Sequence, residues 1–425
     1  MTDVEDEEIE DHIKNPYRGR TMMPRVWFID ECSMIGKELL GEMSTKMNKL
    51  YGCRKEEEKV MGGVHCIFSG DFLQLQPVCS TSLFTKPLQS KGKSTKNSVI
   101  GELIWQKMTY SIILNEQMRQ PPDNGAFSDI LDGLRYGNGM KWGEYLGTIN
   151  SRVLAPKGPI MKSPAGSIIA AFKNVDVNSF IEQRIIHACN NGVFVVRLKM
   201  EMLNKNLELL TDISRKQVYD NYISTKKNKD KLPDETYVYT GMPLTIIASN
   251  PATKLGVVNG TACAFLKFEP EQQFHDVDII MRNGERISTM EPVGQLSKMV
   301  MLVYVPGLKK QIPGLPEKIF PIFPVETTVT VSTHDSNGIQ IKVRQFPIMP
   351  RFSLTGHKTQ GQTMDSIVIH LPESPAERAC IPGSWLYVQF SRVRRLDDLY
   401  LINPSHNQIH HLSNQIRKLL KKWKD

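Results

Sequence analysis

The sequence has 425 residues, of which 40% are hydrophobic, so it is long enough for two or three domains with separate cores. This composition excludes a disordered or fibrous chain. Lysine plus arginine exceed aspartate plus glutamate by 53 to 45, an excess that permits a polyanionic partner without identifying one. Seven scattered cysteines without a C-x-x-C pair favour reduced thiols in an intracellular protein. No apolar run approaches the roughly twenty residues of a membrane span, so we expect no membrane association.

The first part of the chain reads as strands that each end in polar residues. After a polar lead-in over residues 1–20, "RVWFI" predicts a buried strand that ends at Asp30 and Glu31, and a helical spacing of apolar residues follows it. "VHCIFSGD" predicts a second strand and "MTYSIILNEQMR" a third, which ends near Arg119. Strands separated by helices or long crossovers favour a mostly parallel sheet, whose carboxyl edge is where such sheets bind ligands.

The pattern restarts after about residue 156. "GSIIAAFKNVDVNSFIEQRI" predicts a strand followed by a helix, whereas residues 254–344 are rich in β-branched residues, glycine and proline and predict a small β insertion. The fold class is therefore α/β with two parallel-sheet domains, at 21–155 and at 156–253 with 345–412. A basic tail occupies residues 413–425.

The pair Asp30-Glu31 has the chemistry of a nucleotide-hydrolysis site. One carboxylate can hold Mg²⁺ through water, because this ion loses its hydration shell reluctantly, while the other polarises the attacking water. The same two letters also occur where acids decorate the first turn of a helix for electrostatic reasons, so the pair alone is a weak signal.

Two later segments strengthen the hydrolysis hypothesis. "SGDFLQLQPV" brings Gln74 to the region after the second strand, and "LNEQMRQ" brings Arg119, a fixed cation suited to the charge of a transferring phosphoryl group. Loop glutamines and surface arginines are common, and each residue alone has that ordinary interpretation. However, three successive predicted strands all end in polar residues at the same edge of the sheet. This repetition favours a ligand-binding site over chance.

The order of the motifs resembles that of superfamily 1 DNA helicases of the RecD-like and PIF type. The segments that show this resemblance are "VWFIDECSMI", "GDFLQLQPV", "LNEQMRQ", "LTGHKTQGQT" and "YVQFSRVRRLDDLYL". "RQFPIMPRFSLTGHKTQGQTMDSIVIHL" is particularly similar to the PIF-like helicases of Helitron rolling-circle transposons. The resemblance runs from about Arg25 to Ile402. It implies two RecA-like domains, the first incomplete and the second with a small β-barrel-like insertion.

The resemblance also implies roles for individual residues in binding ATP and Mg²⁺. Asp30 resembles the Mg²⁺-supporting Walker B aspartate and Glu31 the general base. Gln74 resembles the glutamine that senses the terminal phosphate, Arg119 an arginine reaching it from the first domain, and Arg392 the arginine finger of the second domain. By the same resemblance, ATP is sandwiched between the domains, with further ATP-binding residues at Gly70, Asp71, Gly361 and Gln362.

Contacts with DNA are implied for a second group of residues. The resemblance places four side chains of "GHKTQGQT" toward the translocated strand, namely His357, Lys358, Thr359 and Gln360. Asn174 either touches the DNA backbone or caps a helix, with equal support. Asn259 opens an Asn-Gly turn signal, and this ordinary interpretation competes with a DNA contact.

The phosphate-binding loop of this family, G-x-x-x-x-G-K-[ST], is missing from the sequence. The single G-K-[ST] match is Gly92–Ser94 in "PLQSKGKSTKN", where Pro87 occupies the position of the first glycine and no apolar strand precedes it. We interpret this stretch as an exposed basic loop. Only 29 residues precede Asp30, so the first domain is expected to be truncated, through the gene model, through decay, or because a separate polypeptide supplies the loop.

The leading hypothesis is the C-terminal portion of an ATP-dependent DNA helicase that moves 5′ to 3′ on single-stranded or forked DNA and hydrolyses ATP weakly or not at all as it stands. A catalytically inactive DNA-binding or regulatory remnant of a transposon-derived helicase is the alternative. An RNA helicase of the same superfamily is a third. An intracellular location, nuclear or mitochondrial, is expected.

Overall fold

The computed structural model describes residues 24–53, 59–85, 95–121, 123–136, 145, 147–149, 151–154, 166–203, 232–247, 251–331, 339–372, 374, 376–377 and 381–402. The predicted lead-in, Gly92–Ser94 and the basic tail lie outside these residues. The chain divides into two compact units. The first comprises Met1–Val153, Gly356–Ile367 and Leu371–Asp425, and the second Leu154–Thr355 and Val368–His370. The predicted domain bounds remain a prediction. The compact units differ from them, since residues 356–367 were predicted in the second domain and belong to the first unit.

The first unit begins with the two predicted strands. β1 (Val26–Ile29) pairs in parallel with β2 (His65–Phe68), from Val26 opposite His65 to Ile29 opposite Phe68. Helix α1 (Lys37–Leu50) connects them, as its apolar spacing predicts, and α2 (Lys96–Gln106) packs on it. Glycine allows this packing, because a Cβ on Gly101 would lie 1.8 Å from the Lys37 carbonyl oxygen.

One face of this two-stranded sheet is packed and the other is exposed. Alternate side chains point to opposite faces of a strand, so Ile29 joins the core with Leu40 of α1 and Ile104 of α2. On the opposite face Phe28 is 76% exposed and Ile67 48%. Parallel sheets are normally covered on both faces, and this one is covered on one face by the described helices.

The third predicted strand is wrong. Residues 108–118 form no strand, and Ile112, Ile113 and Leu114 are each more than 80% exposed. The apolar run has the composition of a strand, but a strand also needs a hydrogen-bonding neighbour. No described strand pairs with this segment.

The remaining elements of the first unit carry several side chains of the candidate site. They are α3 (Gly125–Tyr136), α5 (Gly356–Thr359), α6 (Gly383–Phe390) and β18 (Leu399–Ile402). Helix α6 is largely buried because its apolar residues surround the helix, with Trp385 and Val388 fully enclosed.

The second unit contains the predicted strand and helix of the restarted α/β pattern. β3 (Ile168–Ala171) pairs in parallel with β16 (Ser353–Thr355), and β17 (Ile367–His370) follows β3 in the strand order. α4 (Asn174–Asn190) begins three residues after β3 and packs on both β3 and β16. The two parallel sheets and their helices confirm the α/β class.

The β insertion predicted at residues 254–344 falls within a larger set of mainly antiparallel strands in three sheets, which also includes strands before residue 254 and after residue 344. The strands are β4 (Val196–Lys199), β5 (Glu201–Leu203), β6 (Glu235–Val238), β7 (Pro243–Ile246), β8 (Ala262–Glu269), β9 (Phe274–Ile280), β10 (Arg286–Pro292), β11 (Val300–Tyr304), β12 (Ile319–Ile322), β13 (Val325–Val331), β14 (Ile339–Gln345) and β15 (Ile348–Pro350). The five-stranded sheet has the order β12-β11-β8-β7-β15, and the others are β6-β4-β10-β9 and β13-β14-β5. A core that includes Leu244, Phe265 and Met301 holds the larger sheet. Closure into a barrel remains a prediction.

Three further features concern the described residues only. None of the helices described has the length and apolar character needed to cross a bilayer. The six cysteines within the described ranges have free thiols. In the same part of the chain, no group of three or more histidines, cysteines, aspartates or glutamates is arranged to hold a metal ion.

Candidate functional site

Asp30 and Glu31 lie directly after β1, at its carboxyl end. Asp30 Oδ1 accepts hydrogen bonds from the Glu31 amide at 2.9 Å and from Ser69 Oγ, after β2, at 2.6 Å. Glu31 has φ 53° and ψ 42°, a left-handed conformation that side-chain-bearing residues rarely adopt. A 3₁₀ turn (Cys32–Met34) separates the pair from α1, so the carboxylates do not decorate the first turn of that helix.

The loop after β2 places Gly70, Asp71 and Gln74. Gly70 approaches the Asp30-Glu31 turn closely, since a Cβ there would lie 2.8 Å from the Cys32 amide nitrogen. Asp71 accepts a hydrogen bond from the Leu73 amide at 3.0 Å, which shapes the turn. Gln74 Oε1 is buried without a hydrogen-bond partner, and such orphaned acceptors are uncommon and point to a ligand or water.

Arg135 is a site residue that the sequence did not reveal. Its Nη1 lies 2.5 Å from Asp71 Oδ2 and donates to the Tyr387 hydroxyl at 2.8 Å. Burial, opposed by the nearby Arg135 charge, raises the pKa of Tyr387. Nothing in the local pattern of α3 distinguishes Arg135 from a surface arginine, because its partners are 64 and 252 residues away.

Arg119 and Arg392, predicted to act on the terminal phosphate, both contact Ser391. Arg119 Nη1 donates to the Ser391 carbonyl at 3.0 Å, and its Nε donates to Thr363 Oγ1 at 3.1 Å. Arg392 Nη2 donates to Ser391 Oγ at 2.8 Å, and Nε to the Val388 carbonyl at 2.7 Å. Two cations that share one serine form a region of positive potential suited to an anion.

The surroundings of Arg392 disfavour its charge. Its side chain is 1% exposed. Burial and, to a smaller extent, the nearby Arg119 charge lower its pKa to about 10, while the Glu31 carboxylate opposes this change. Its hydrogen bonds go to carbonyls and a hydroxyl, including the Gln362 carbonyl at 3.3 Å. A buried guanidinium held by neutral groups retains the capacity to bind an anion.

The segment after β16 is anchored in the first unit and places the predicted DNA-facing residues differently. His357 donates to the Gln76 carbonyl, and burial lowers the pKa of both His357 and Lys358. Thr359 is fully buried, and its Oγ1 donates to Gln389 Oε1 at 2.8 Å. Gln360 is 9% exposed and donates to Glu31 Oε2 at 2.7 Å. A buried side chain does not reach a strand on the surface, so the DNA contacts predicted for Thr359 and Gln360 are not supported.

Gly361 and Gln362, predicted to bind ATP, adjoin the carboxylates in this unit. Gly361 has φ 75°, and a Cβ there would lie 3.1 Å from Glu31 Oε1. Gln362 Nε2 donates to the Lys358 carbonyl at 2.6 Å. Gly361 therefore lies beside the predicted general base, whereas Gln362 caps the turn that follows α5.

Asn174 and Asn259 lie in the second unit and are exposed. Asn174 is the first residue of α4, and the N-cap is Lys173 without a side-chain capping bond, so the capping alternative is not supported. Asn259 and Gly260 form a turn before β8, in which the Val258 amide donates to Thr261 Oγ1 at 2.9 Å. The turn interpretation of Asn259 is confirmed, and its DNA contact remains a prediction.

The donor set fits the hydrolytic half of a nucleotide site. Asp30 offers a carboxylate for a hydrated Mg²⁺, Glu31 a base, Gln74 an unsatisfied oxygen, and Arg119 and Arg392 fixed positive charge. All five belong to the first unit. The single G-K-[ST] triplet of the sequence, Gly92–Ser94, has Pro87 where the phosphate loop has its first glycine.

Comparison with known sequences finds similarity to one family of helicases. Residues 13–139 match the family model described as PIF1-like helicase. The chain is 22% identical over 426 residues to the ATP-dependent DNA helicase Pif1 of Psychrobacter sp. (strain PRwf-1), covering 94% of this chain and 57% of that protein. It is 23% identical over 410 residues to the ATP-dependent DNA helicase RRM3 of Saccharomyces cerevisiae, covering 89% and 51%. The chain thus spans about half the length of these relatives.

Comparison with solved structures supports the fold. The crystal structure of Pif1 helicase from Candida albicans superposes with a TM-score of 0.57 at 20% identity, covering 99% of this chain and 81% of that chain. Bacteroides Pif1 bound to ssDNA gives a TM-score of 0.54 at 16% identity, covering 94% and 76%. The expected fold with RecA-like domains is therefore confirmed.

Proposed function

We propose that this chain belongs to the PIF1-type superfamily 1 helicases and is the portion of an ATP-dependent DNA helicase that carries the hydrolytic residues. The observation that best supports this proposal is that Asp30, Glu31 and two arginines lie in one compact unit. By the same proposal the complete helicase moves 5′ to 3′ on single-stranded DNA and opens forked DNA. An intracellular location, nuclear or mitochondrial, belongs to this proposal.

The proposed chemistry is hydrolysis of the terminal phosphate of ATP. Mg²⁺, when bound near Asp30, supplies charge neutralisation on the phosphate oxygens. Glu31 takes the proton of the attacking water, and the free Gln74 Oε1 accepts a hydrogen bond that orients it. Arg119 and Arg392 stabilise the negative charge that spreads over the transferring phosphoryl group.

The missing phosphate loop is proposed to come from a further α/β segment, upstream in the same polypeptide or on a separate one. Two observations support this. The sequence contains no G-x-x-x-x-G-K-[ST], and the sheet face with Phe28 and Ile67 is apolar and exposed. The exposed run Ile112–Leu114 has the composition of a strand that lacks its neighbour. As it stands, the chain is expected to hydrolyse ATP weakly or not at all.

The proposed DNA path uses exposed or half-buried polar groups. Lys358 and His357 project from α5 in the first unit, and Asn174 and Asn259 lie in the second. A lysine near the backbone phosphates contributes affinity that falls with salt, because counterions are released on binding. Bacteroides Pif1, which shares the fold, has been crystallised bound to single-stranded DNA, and this supports the proposed substrate.

An inactive DNA-binding remnant is the second candidate, and the missing phosphate loop favours it. It predicts salt-sensitive binding of single-stranded DNA that ATP does not change and that falls when Lys358 is replaced. Absence of binding at low salt would exclude this candidate.

The deciding experiment measures ATPase activity with and without single-stranded DNA, on this chain and on a polypeptide with upstream sequence restored. We expect DNA-stimulated turnover in the longer polypeptide only, and a loss of about 10²–10⁴-fold in Glu31→Gln. Glu38→Gln, on the exposed side of α1, is the matched control and should retain activity. Robust Glu31-dependent turnover by the short chain would refute the need for a further segment. RNA in place of DNA tests the third hypothesis.

A further inference from the structure

The two carboxylate oxygens of Glu31 have different neighbours. Oε2 accepts a hydrogen bond from Gln360 Nε2 at 2.7 Å. Oε1 faces Gly361, where even a Cβ would lie 3.1 Å away. One oxygen is therefore held by a donor, while the absence of a side chain at Gly361 leaves room beside the other.

Gln360 is itself held firmly. Its Nε2 also lies 3.3 Å from Ser33 Oγ, in the 3₁₀ turn that follows Glu31. The preceding Thr359 is fixed by its bond to Gln389, and the Gln362 amide donates to the Thr359 carbonyl at 3.1 Å. A side chain that is buried and attached to a hydrogen-bonded turn loses little further freedom when it donates to a partner.

Two observations indicate that this contact serves more than packing. Gln360 Oε1 is buried without a hydrogen-bond partner, so the amide presents a free acceptor next to the carboxylate. Glu31 has a left-handed backbone, a conformation that persists where the surroundings determine it and that is concentrated at functional sites.

We infer that Gln360 is a positioning residue for Glu31, holding Oε2 so that Oε1 points to the space beside Gly361 and acts as the base. This inference rests on the proposed role of Glu31 in ATP hydrolysis. The bond joins residues 329 apart in the chain, so it fixes the general base by a segment outside its own strand and turn. A base held in one orientation is effective because the reacting atoms need no rearrangement during proton transfer.

The first test uses the polypeptide with upstream sequence restored. Gln360→Met keeps the volume and removes the donor, and Gln360→Ala removes both. We expect kcat to fall by about 10- to 100-fold in both variants, with KM for ATP and Kd for single-stranded DNA within about twofold of the parent. Gln183→Ala, an exposed glutamine of α4, is the matched control and should leave kcat unchanged. A Gln360→Met enzyme with parental kcat would overturn the inference, because a packing role alone is preserved in that variant.

The second test uses this chain as it exists and needs no activity. Melting temperatures of Glu31→Met, Gln360→Met and the double variant form a double-mutant cycle, which we expect to be non-additive. Additive shifts would show that the Gln360 and Glu31 side chains do not interact and would overturn the inference, while the proposed function would remain intact. Conversely, a restored polypeptide without Glu31-dependent turnover would overturn the proposed function and the role of Gln360 in it, even if the cycle shows coupling.

Discussion

Arg135 Nη1 and Asp71 Oδ2 lie 2.5 Å apart, and this ion pair ties helix α3 to the loop that follows β2. The side chains are 27% and 16% exposed, and the guanidinium also donates to the Tyr387 hydroxyl. The same loop carries Gln74, so the pair holds a candidate catalytic glutamine in place from outside its own strand.

Arg135→Ala is expected to destabilise the protein by about 1–3 kcal/mol, because the Asp71 carboxylate and the Tyr387 hydroxyl lose a partly buried donor. Urea unfolding measures the change in free energy. Lys46→Ala is the control: its ion pair with Glu42 is exposed, so it should cost no more than about 0.5 kcal/mol. Equal effects of the two substitutions would show that the Arg135 pair contributes little.

His357 is expected to make stability depend on pH. Burial lowers its pKa below the usual value of 6.5, and the hydrogen bond to the Gln76 carbonyl opposes this only in part. Below pH 6.5 the unfolded chain therefore binds more protons than the folded chain. The stabilisation associated with neutral His357 is fully present above pH 6.5 and is lost as the pH falls through the lowered pKa. The melting temperature between pH 7.5 and 5 should fall less in His357→Asn than in the parent. His275→Asn, at an exposed position of β9, should keep the parental slope.

Lys358→Ala is expected to weaken binding of single-stranded DNA and to reduce the dependence of log Kd on log salt by about 0.7, as for one lost phosphate contact on a single strand. Fluorescence anisotropy over a salt series measures both quantities. Lys254→Ala, at an exposed position of the second unit, provides the matched loss of charge. If both substitutions reduce affinity equally, the effect is one of overall charge and Lys358 is not a specific contact.

Phe28→Ala is expected to cost little stability and to reduce self-association, because Phe28 is 76% exposed on an apolar sheet face. Ile29→Ala, on the packed face of the same strand, should cost about 2–4 kcal/mol. Unfolding curves and light scattering give the two readouts. A large loss of stability in Phe28→Ala would mean that the face is covered in solution, contrary to the structure.

The short elements that have a local signal, and the polar residues at their ends, can be predicted from the sequence alone. β1, α1 and β2 follow from apolar spacing, and Asp30, Glu31 and Gln74 follow from the polar residues after each strand. The motif order also indicated the resemblance to PIF-type superfamily 1 helicases, which the match of residues 13–139 to the PIF1-like helicase model supports. These signals are visible in the sequence because strand and helix periodicity, and the order of short motifs, are properties of neighbouring residues.

Features that depend on partners distant in sequence are visible only in the three-dimensional structure. The run at residues 108–118 has the composition of a strand but forms none, because composition does not supply a hydrogen-bonding neighbour. Gln360 faces Glu31 rather than solvent, and Arg135 meets Asp71, through contacts across 329 and 64 residues. Such contacts are set by how the elements pack in three dimensions, and no local pattern in the chain encodes them.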